Sequence, residues 1–170
     1  LGLRAAERAD VTLDAAPAYA EALAPGGRDQ IEAAAAVAQA AVALGAARGA
    51  LEATAPYTLD RKQFGKPIAD FQAIQWMLAD SATELDAARL ALRHAAAGEV
   101  APAHARLLVG RTARAVTDRC IQMHGGYGYT AEYPVERAFR DAHHALLAAG
   151  PDGGRAAIAA ALVGGAPAAS

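Results

Sequence analysis

No proline interrupts the chain from Asp29 to Ala55, and alanine fills most of positions 33 to 43. A run of that length in the strongest helix former has one stable local form, an α-helix carried to about Arg61, with Pro56 and Tyr57 in its last turns. Such a rod cannot bury its apolar side alone. The rest of the chain offers partners. After Pro67, a favoured first-turn residue, Phe71, Leu78, Leu85 and Leu92 recur every seven positions, with Ile74 and Met77 on the same side, until Gly98 ends the pattern. That spacing predicts a second helix of about 30 residues, roughly 45 Å long. A third opens at Pro102 and carries Leu107, Leu108, Ala115, Val116 and Ile121. A fourth begins near Pro134 and runs towards Leu147; "GPDGG" interrupts it, and residues 155–163 suit a short last helix.

Long helices joined by short breaks pack as antiparallel neighbours, so the expected fold is all-α, an up-down four-helix bundle over residues 29–165. "RADVTLD", where Ala9, Val11 and Leu13 alternate with polar neighbours, is the strand-like stretch, and "APAYAEALAPGG" after it is a Pro/Gly-punctuated connector. Residues 1–28 are therefore expected to be a remnant strand and linker. Alanine seams let helices approach closely but bury little area each, so a larger assembly would help this bundle.

A chain that is 54% hydrophobic and 20% charged suits a folded domain. Its formal net charge of −2 gives no electrostatic reason to expect nucleic acid or an anionic membrane as partner. No run of about 18 uninterrupted apolar residues suggests a membrane span. The single cysteine, Cys120, fits a reducing cytoplasm and reads as a small buried group on a helix.

Two stretches carry chemistry. "DRKQFGKPIADFQ", residues 60–72, sets Arg61 and Lys62 at a helix end, then a tight Gly65 turn with Phe64, Phe71 and Gln72 around it. A cation at a helix C-terminus is locally favourable in any protein. A turn offering a cation, aromatic rings and amides together also matches the needs of a nucleotide: a phosphate partner, a stacking surface and a directed hydrogen bond. "QMHGGYGYTAEYPVERAFRD", residues 122–141, spends Gly125, Gly126 and Gly128 where a helix stops. One glycine suffices for a C-cap, so three suggest main chain that something approaches closely.

At these residues the chain resembles the acyl-CoA dehydrogenases, specifically their C-terminal helical domain. Gln122, Gly125, Gly126, Gly128, Tyr129, Glu132, Arg137 and Asp141 match the family's C-terminal signature, and "RKQFGKPIADFQAIQWMLAD" matches its other familiar run. The similarity covers residues 29–145, and residues 8–25 look like the end of the family's β-domain and its linker. The resemblance implies FAD. It implies further that Arg61 faces the pyrophosphate, that Gln63, Phe64 and Gln72 flank the cofactor, and that Gln122, Gly125 and Gly126 lie at the adenosine end. These contacts would be made in trans, to a flavin held mainly by a neighbouring chain. Glu132, Arg137 and Asp141 are expected to brace the loop and helix.

Family members remove the α-proton of an acyl thioester with a glutamate while the β-hydrogen leaves as hydride to the flavin. Counting on from Arg140, Asp141 and Ala142 places Ala149, Gly150 and Pro151 at the family's Glu-Gly-Thr turn, so the base is replaced by a methyl group. Relatives that carry the glutamate on the first long helix would place it at Ala35; Glu32, one turn earlier, is the substitute to consider. His143 and His144 point about 100° apart on a helix and cannot share a metal, and His94 and His104 are not spaced for one. His124 reads as a loop-packing residue. No metal site is expected.

The resemblance therefore implies a flavin-dependent oxidoreductase subunit for α,β-dehydrogenation of acyl-CoA thioesters, with a degenerate acyl site. It would assemble as a homo- or hetero-oligomer, a dimer or tetramer, with another acyl-CoA dehydrogenase chain that supplies the base and passes electrons to a further acceptor. Heteromers of this kind handle bulky acyl groups such as steroid side chains; fatty acyl groups are the family's other substrates. Two alternatives stand beside it: a competent enzyme with Glu32 as relocated base, and a structural helical module that binds no flavin. The family's N-terminal helical domain and β-domain find no counterpart in 170 residues, so the chain reads as part of a longer product that alone binds FAD weakly.

Overall fold

The computed structural model describes residues 2–3, 12, 14, 26–147 and 154–164. The expected strand at residues 8–14 and the base position at Ala149 lie outside the described residues, Thr12 and Asp14 excepted. Among the described residues five helices follow in chain order: α1 (Gly27–Asp60), α2 (Gln72–Ala96), α3 (Pro102–His124), α4 (Pro134–Leu147) and the shorter α5 (Arg155–Val163).

Between α1 and α2 the chain makes a two-stranded antiparallel hairpin, β1 (Lys62–Gln63) and β2 (Lys66–Pro67), followed by a 3-10 turn over Ile68–Asp70. The second long helix thus starts at Gln72 rather than just after Pro67. Phe71 is extended at φ −90° and ψ 129° and caps it, because Pro67 and the pairing of Gln63 with Lys66 hold the preceding residues out of helical geometry.

The core is an alanine seam. Ala36, Ala40, Ala43, Ala47, Ala50 and Thr54 recur every three or four residues along α1 and are all buried. They face α3, which buries Ala105, Val109, Ala113, Val116 and Cys120 at the same spacing. Methyl-sized contacts let the two axes come close. α3 is the central rod, touching α1, α2, α4 and α5, and α4 closes the bundle through Val135, Ala142 and Ala145. Three members of the seven-residue repeat pack as expected on α2: Leu85 is buried, and Leu78 and Leu92 lie against the core with Ile74 and Met77, whereas Phe71 precedes the helix and faces the hairpin. Arg119 on α3 donates two hydrogen bonds, of 2.9 and 2.8 Å, to the Glu84 carboxylate on α2. That fork sets the register of the two helices and, being partly exposed, contributes less than about 1 kcal/mol.

α1 is rich in alanine around its whole circumference, with the exposed Arg48–Glu52 pair as a polar exception. Its most apolar window reaches a mean hydropathy of 1.4, long and apolar enough by composition to cross a membrane, and 33% of that window is buried in the bundle. The face away from α3 carries Ala38, Val42, Gly45 and Gly49 to the surface. At the start of the described chain, the Leu3 amide donates to Asp141 on α4 at 2.6 Å.

Candidate functional site

One end of the bundle gathers four pieces: the last turn of α1, the hairpin, the start of α2 and the glycine loop after α3. Each is placed by its own chemistry. α1 ends at Asp60 because Arg61 turns extended, at φ −74° and ψ 121°, and its amide still donates to the Tyr57 carbonyl at 2.9 Å. The register Gln63↔Lys66 leaves Phe64 and Gly65 as a two-residue loop, with φ of 52° and 83°. Positive φ at both central residues is the type I′ hairpin turn, whose twist matches the strands it joins. Glycine does this freely. Phenylalanine does not, and Phe64 is held there with its ring 93% exposed, edge-on to Phe71 at 6.3 Å between centroids. Lys66 sits 4.4 Å from the centre of the Phe71 ring.

The three loop glycines have three different reasons. Gly125 terminates α3 at φ 60° and ψ −136°, a conformation open to glycine almost alone. Gly128 is buried, and a Cβ there would stand 2.7 Å from the Ile121 carbonyl oxygen. Gly126 has no such reason: its φ is ordinary and a Cβ would meet nothing within 4 Å. The fold leaves its main chain bare towards solvent.

Beneath the loop lies an aromatic cluster that spacing along the sequence could not reveal. The buried His124 ring stacks on Tyr57 at 4.0 Å between centroids and 16° between planes. Its Nδ1–H donates to the Cys120 carbonyl at 2.8 Å, and the Tyr57 hydroxyl donates to the His124 carbonyl at 3.3 Å. Tyr133 meets both rings edge-on, at 5.8 and 5.6 Å, and Tyr127 tilts against Tyr133 at 5.6 Å. Burial lowers the His124 pKa and raises that of Tyr57, and it pushes the Cys120 thiol up to about 11.

Between the hairpin and the loop lies a groove of about 720 Å³, lined by Arg61, Gln63, Phe64, Gln122, Gly125 and Gly126, with Tyr57, Ile68, Phe71, Ile74, Met123, His124 and Tyr127 as its largely apolar wall. Six of the seven residues read from the sequence as cofactor contacts thus line one cleft. The seventh, Gln72, opens α2 as an exposed residue outside the groove lining. The Arg61 guanidinium is exposed and stands 5.4 Å from the centre of the Tyr127 ring. A mostly apolar cleft with one cation and bare main chain suits a flat, anionic, partly aromatic ligand.

The other candidates lie elsewhere. Glu32 and Ala35 are exposed near the start of α1, roughly 40 Å along the helix from Arg61. His143 Nδ1–H donates to the Phe139 carbonyl at 2.8 Å, and His94 pairs with Glu99 after α2. Among the described residues no three His, Cys, Asp or Glu side chains converge as metal ligands. Arg140 pairs with Glu136, its Nε–H donating at 2.7 Å, whereas Arg137 is exposed.

The model of the acyl-CoA dehydrogenase C-terminal domain matches residues 33–164. The chain is 49% identical over 115 residues to a 3-sulfinopropanoyl-CoA desulfinase of Variovorax paradoxus, covering 64% of this chain and 29% of that protein. It is 46% identical over 109 residues to an acryloyl-CoA reductase (NADH) of Anaerotignum propionicum, covering 60% and 28%. A glutaryl-CoA dehydrogenase from Mycobacterium smegmatis, solved in complex with FADH2, superposes with a TM-score of 0.73 at 29% identity, over 79% of this chain and 37% of the other. The chain spans about three-tenths of the length of the curated relatives it matches, between 28% and 31%. Both signature stretches, Arg61 to Gln72 and Gln122 to Asp141, fall inside the matched residues. The chain therefore belongs to the acyl-CoA dehydrogenase family and carries the family's C-terminal helical domain.

Proposed function

We propose that this chain supplies the helical side of an FAD site in an acyl-CoA dehydrogenase-type oxidoreductase, gripping the adenosine diphosphate part of a flavin held mainly by a neighbouring chain. Arg61 pairs with the pyrophosphate, Gln63 and Phe64 flank it, and Gln122, Gly125 and Gly126 receive the adenosine end. Gln72, exposed at the start of α2 beside the groove residues Phe71 and Ala73, flanks the cofactor from that side. The observation that carries the reading is Gly126: the fold itself gives no reason to withhold a side chain there, and a ligand laid against the main chain does. The exposed ring of Phe64, kept at a positive φ, agrees, because strain persists where a function holds it. Bound FAD would supply the hydride acceptor for oxidation of an acyl-CoA thioester.

In this reading the base for that reaction comes from elsewhere: Ala149 stands at its expected position in the sequence, and Glu32 is exposed roughly 40 Å along α1 from Arg61. A partner chain of the same family completes the acyl site in this reading, and residues 1–28 are the end of the β-domain and its linker. The test is purification of the chain in its natural assembly, followed by flavin absorbance and FAD stoichiometry with and without Arg61→Met. Bound flavin reduced by the substitution supports the grip; an assembly that purifies free of flavin and takes up neither FAD nor ADP ends it.

A second reading has a specific observation behind it. The relatives named 3-sulfinopropanoyl-CoA desulfinase match at 43–49% identity, so opening of a β-carbon–sulfur bond in a CoA thioester is the competing reaction. Turnover of 3-sulfinopropanoyl-CoA against a saturated acyl-CoA by the assembled protein separates the two.

A further inference from the structure

We propose that Tyr57 and His124 form a positioning joint, whose stack fixes the Arg61 guanidinium and the glycine loop relative to one another so that they hold a ligand as one unit. The proposal rests on the reading that the groove takes the adenosine diphosphate part of a dinucleotide. Three contacts make the joint. The rings stack at 4.0 Å, the Tyr57 hydroxyl bonds the His124 carbonyl at the entrance to the loop, and the Tyr57 carbonyl accepts the Arg61 amide. Tyr57 thus touches the loop with its side chain and Arg61 with its backbone. A second route runs from His124 through Tyr133 to Tyr127, the ring nearest the Arg61 guanidinium. A shift of the His124 ring therefore moves both walls of the cleft.

The joint works with a neutral imidazole. With Nδ1–H given to the Cys120 carbonyl, Nε2 carries no hydrogen, and a proton added there enters a buried site. The titratable groups facing it are Tyr57 from α1, Tyr133 ahead of α4 and Cys120 on its own helix, with the Arg61 cation beyond Tyr57. Burial is the main cause that keeps the ring neutral, and the Cys120 carbonyl opposes it.

The experiment is calorimetric titration of ADP into the protein in its natural assembly. Arg61→Met is expected to weaken binding about tenfold, and His124→Ala about fivefold. In the Arg61→Met background His124→Ala should cost clearly less, because the share of its effect that runs through Arg61 is already gone. His124→Phe keeps a ring to stack on Tyr57 and should bind within about twofold of the natural protein at neutral pH. On acidification the natural protein should lose more affinity than His124→Phe does. Equal losses from His124→Ala in both backgrounds, or a normal affinity in His124→Ala, overturn the joint while leaving the groove reading intact. Should His124→Ala not fold, the acid profiles of the natural protein and His124→Phe decide, and superimposable profiles overturn it. A natural protein that binds no ADP overturns the groove reading and the joint with it.

Discussion

Gly128 lies so close to Ile121 that an added Cβ would stand 2.7 Å from its carbonyl oxygen. Two positions away, Gly126 faces open space. The pair offers a clean contrast. Gly128→Ala must push α3 backbone aside and is expected to cost about 1–3 kcal/mol of stability. Gly126→Ala should change stability by less than about 0.5 kcal/mol and yet weaken ADP binding. Thermal melts and ADP titration of both variants check this; a Gly126→Ala protein that binds normally removes the main support for a ligand at the loop.

Phe64 gives a prediction of opposite sign. Asparagine tolerates positive φ far better than phenylalanine, and the ring makes little contact to lose. Phe64→Asn is expected to stabilise the fold by about 1 kcal/mol, read as a higher melting temperature, while lowering flavin retention in the assembly. Stability and function should part at this residue.

His124 predicts a pH dependence of stability. Its folded pKa lies below the ordinary 6.5 because of burial, so the unfolded chain takes up the proton first as pH falls. Its contribution is intact above pH 6.5, declines as pH drops below that value and levels once the folded ring also titrates. Chemical denaturation between neutral and mildly acid pH should show this slope, and His124→Phe should flatten it.

Cys120 is buried and its thiol pKa is pushed up to about 11, so almost no thiolate is present at neutral pH. Alkylation of the native protein is expected to proceed at the rate of opening of the bundle. Rapid labelling without denaturant would contradict the packing of α3 on α1.

The helices were legible because their chemistry is local: proline at Pro102 and Pro134, the heptad from Leu78 to Leu92, and glycine at Gly98 and Gly125 mark them within a residue or two, the start of α2 excepted. The hairpin was not, since two-residue strands carry no periodicity and Phe64 is the wrong residue for its turn. The cleft was half legible. Arg61 and the glycines announce themselves, but the letters G-G-Y-G do not say which glycine serves a turn, which a close contact and which neither. Tyr57 and His124 stand 67 positions apart, and only the packing of α1 on α3 makes them neighbours.

An alanine seam can be injured in one direction only. At Ala43, Ala47, Ala88 and Ala113 there is almost nothing to cut away, so the cavities that usually follow core substitutions have little room to arise. Every other common replacement adds atoms between two rods already in contact, and the strain spreads along α1 to the cleft at its end. Damage to such a domain comes from growth, and a swollen residue several turns away could spoil the ligand grip before it unfolds the chain.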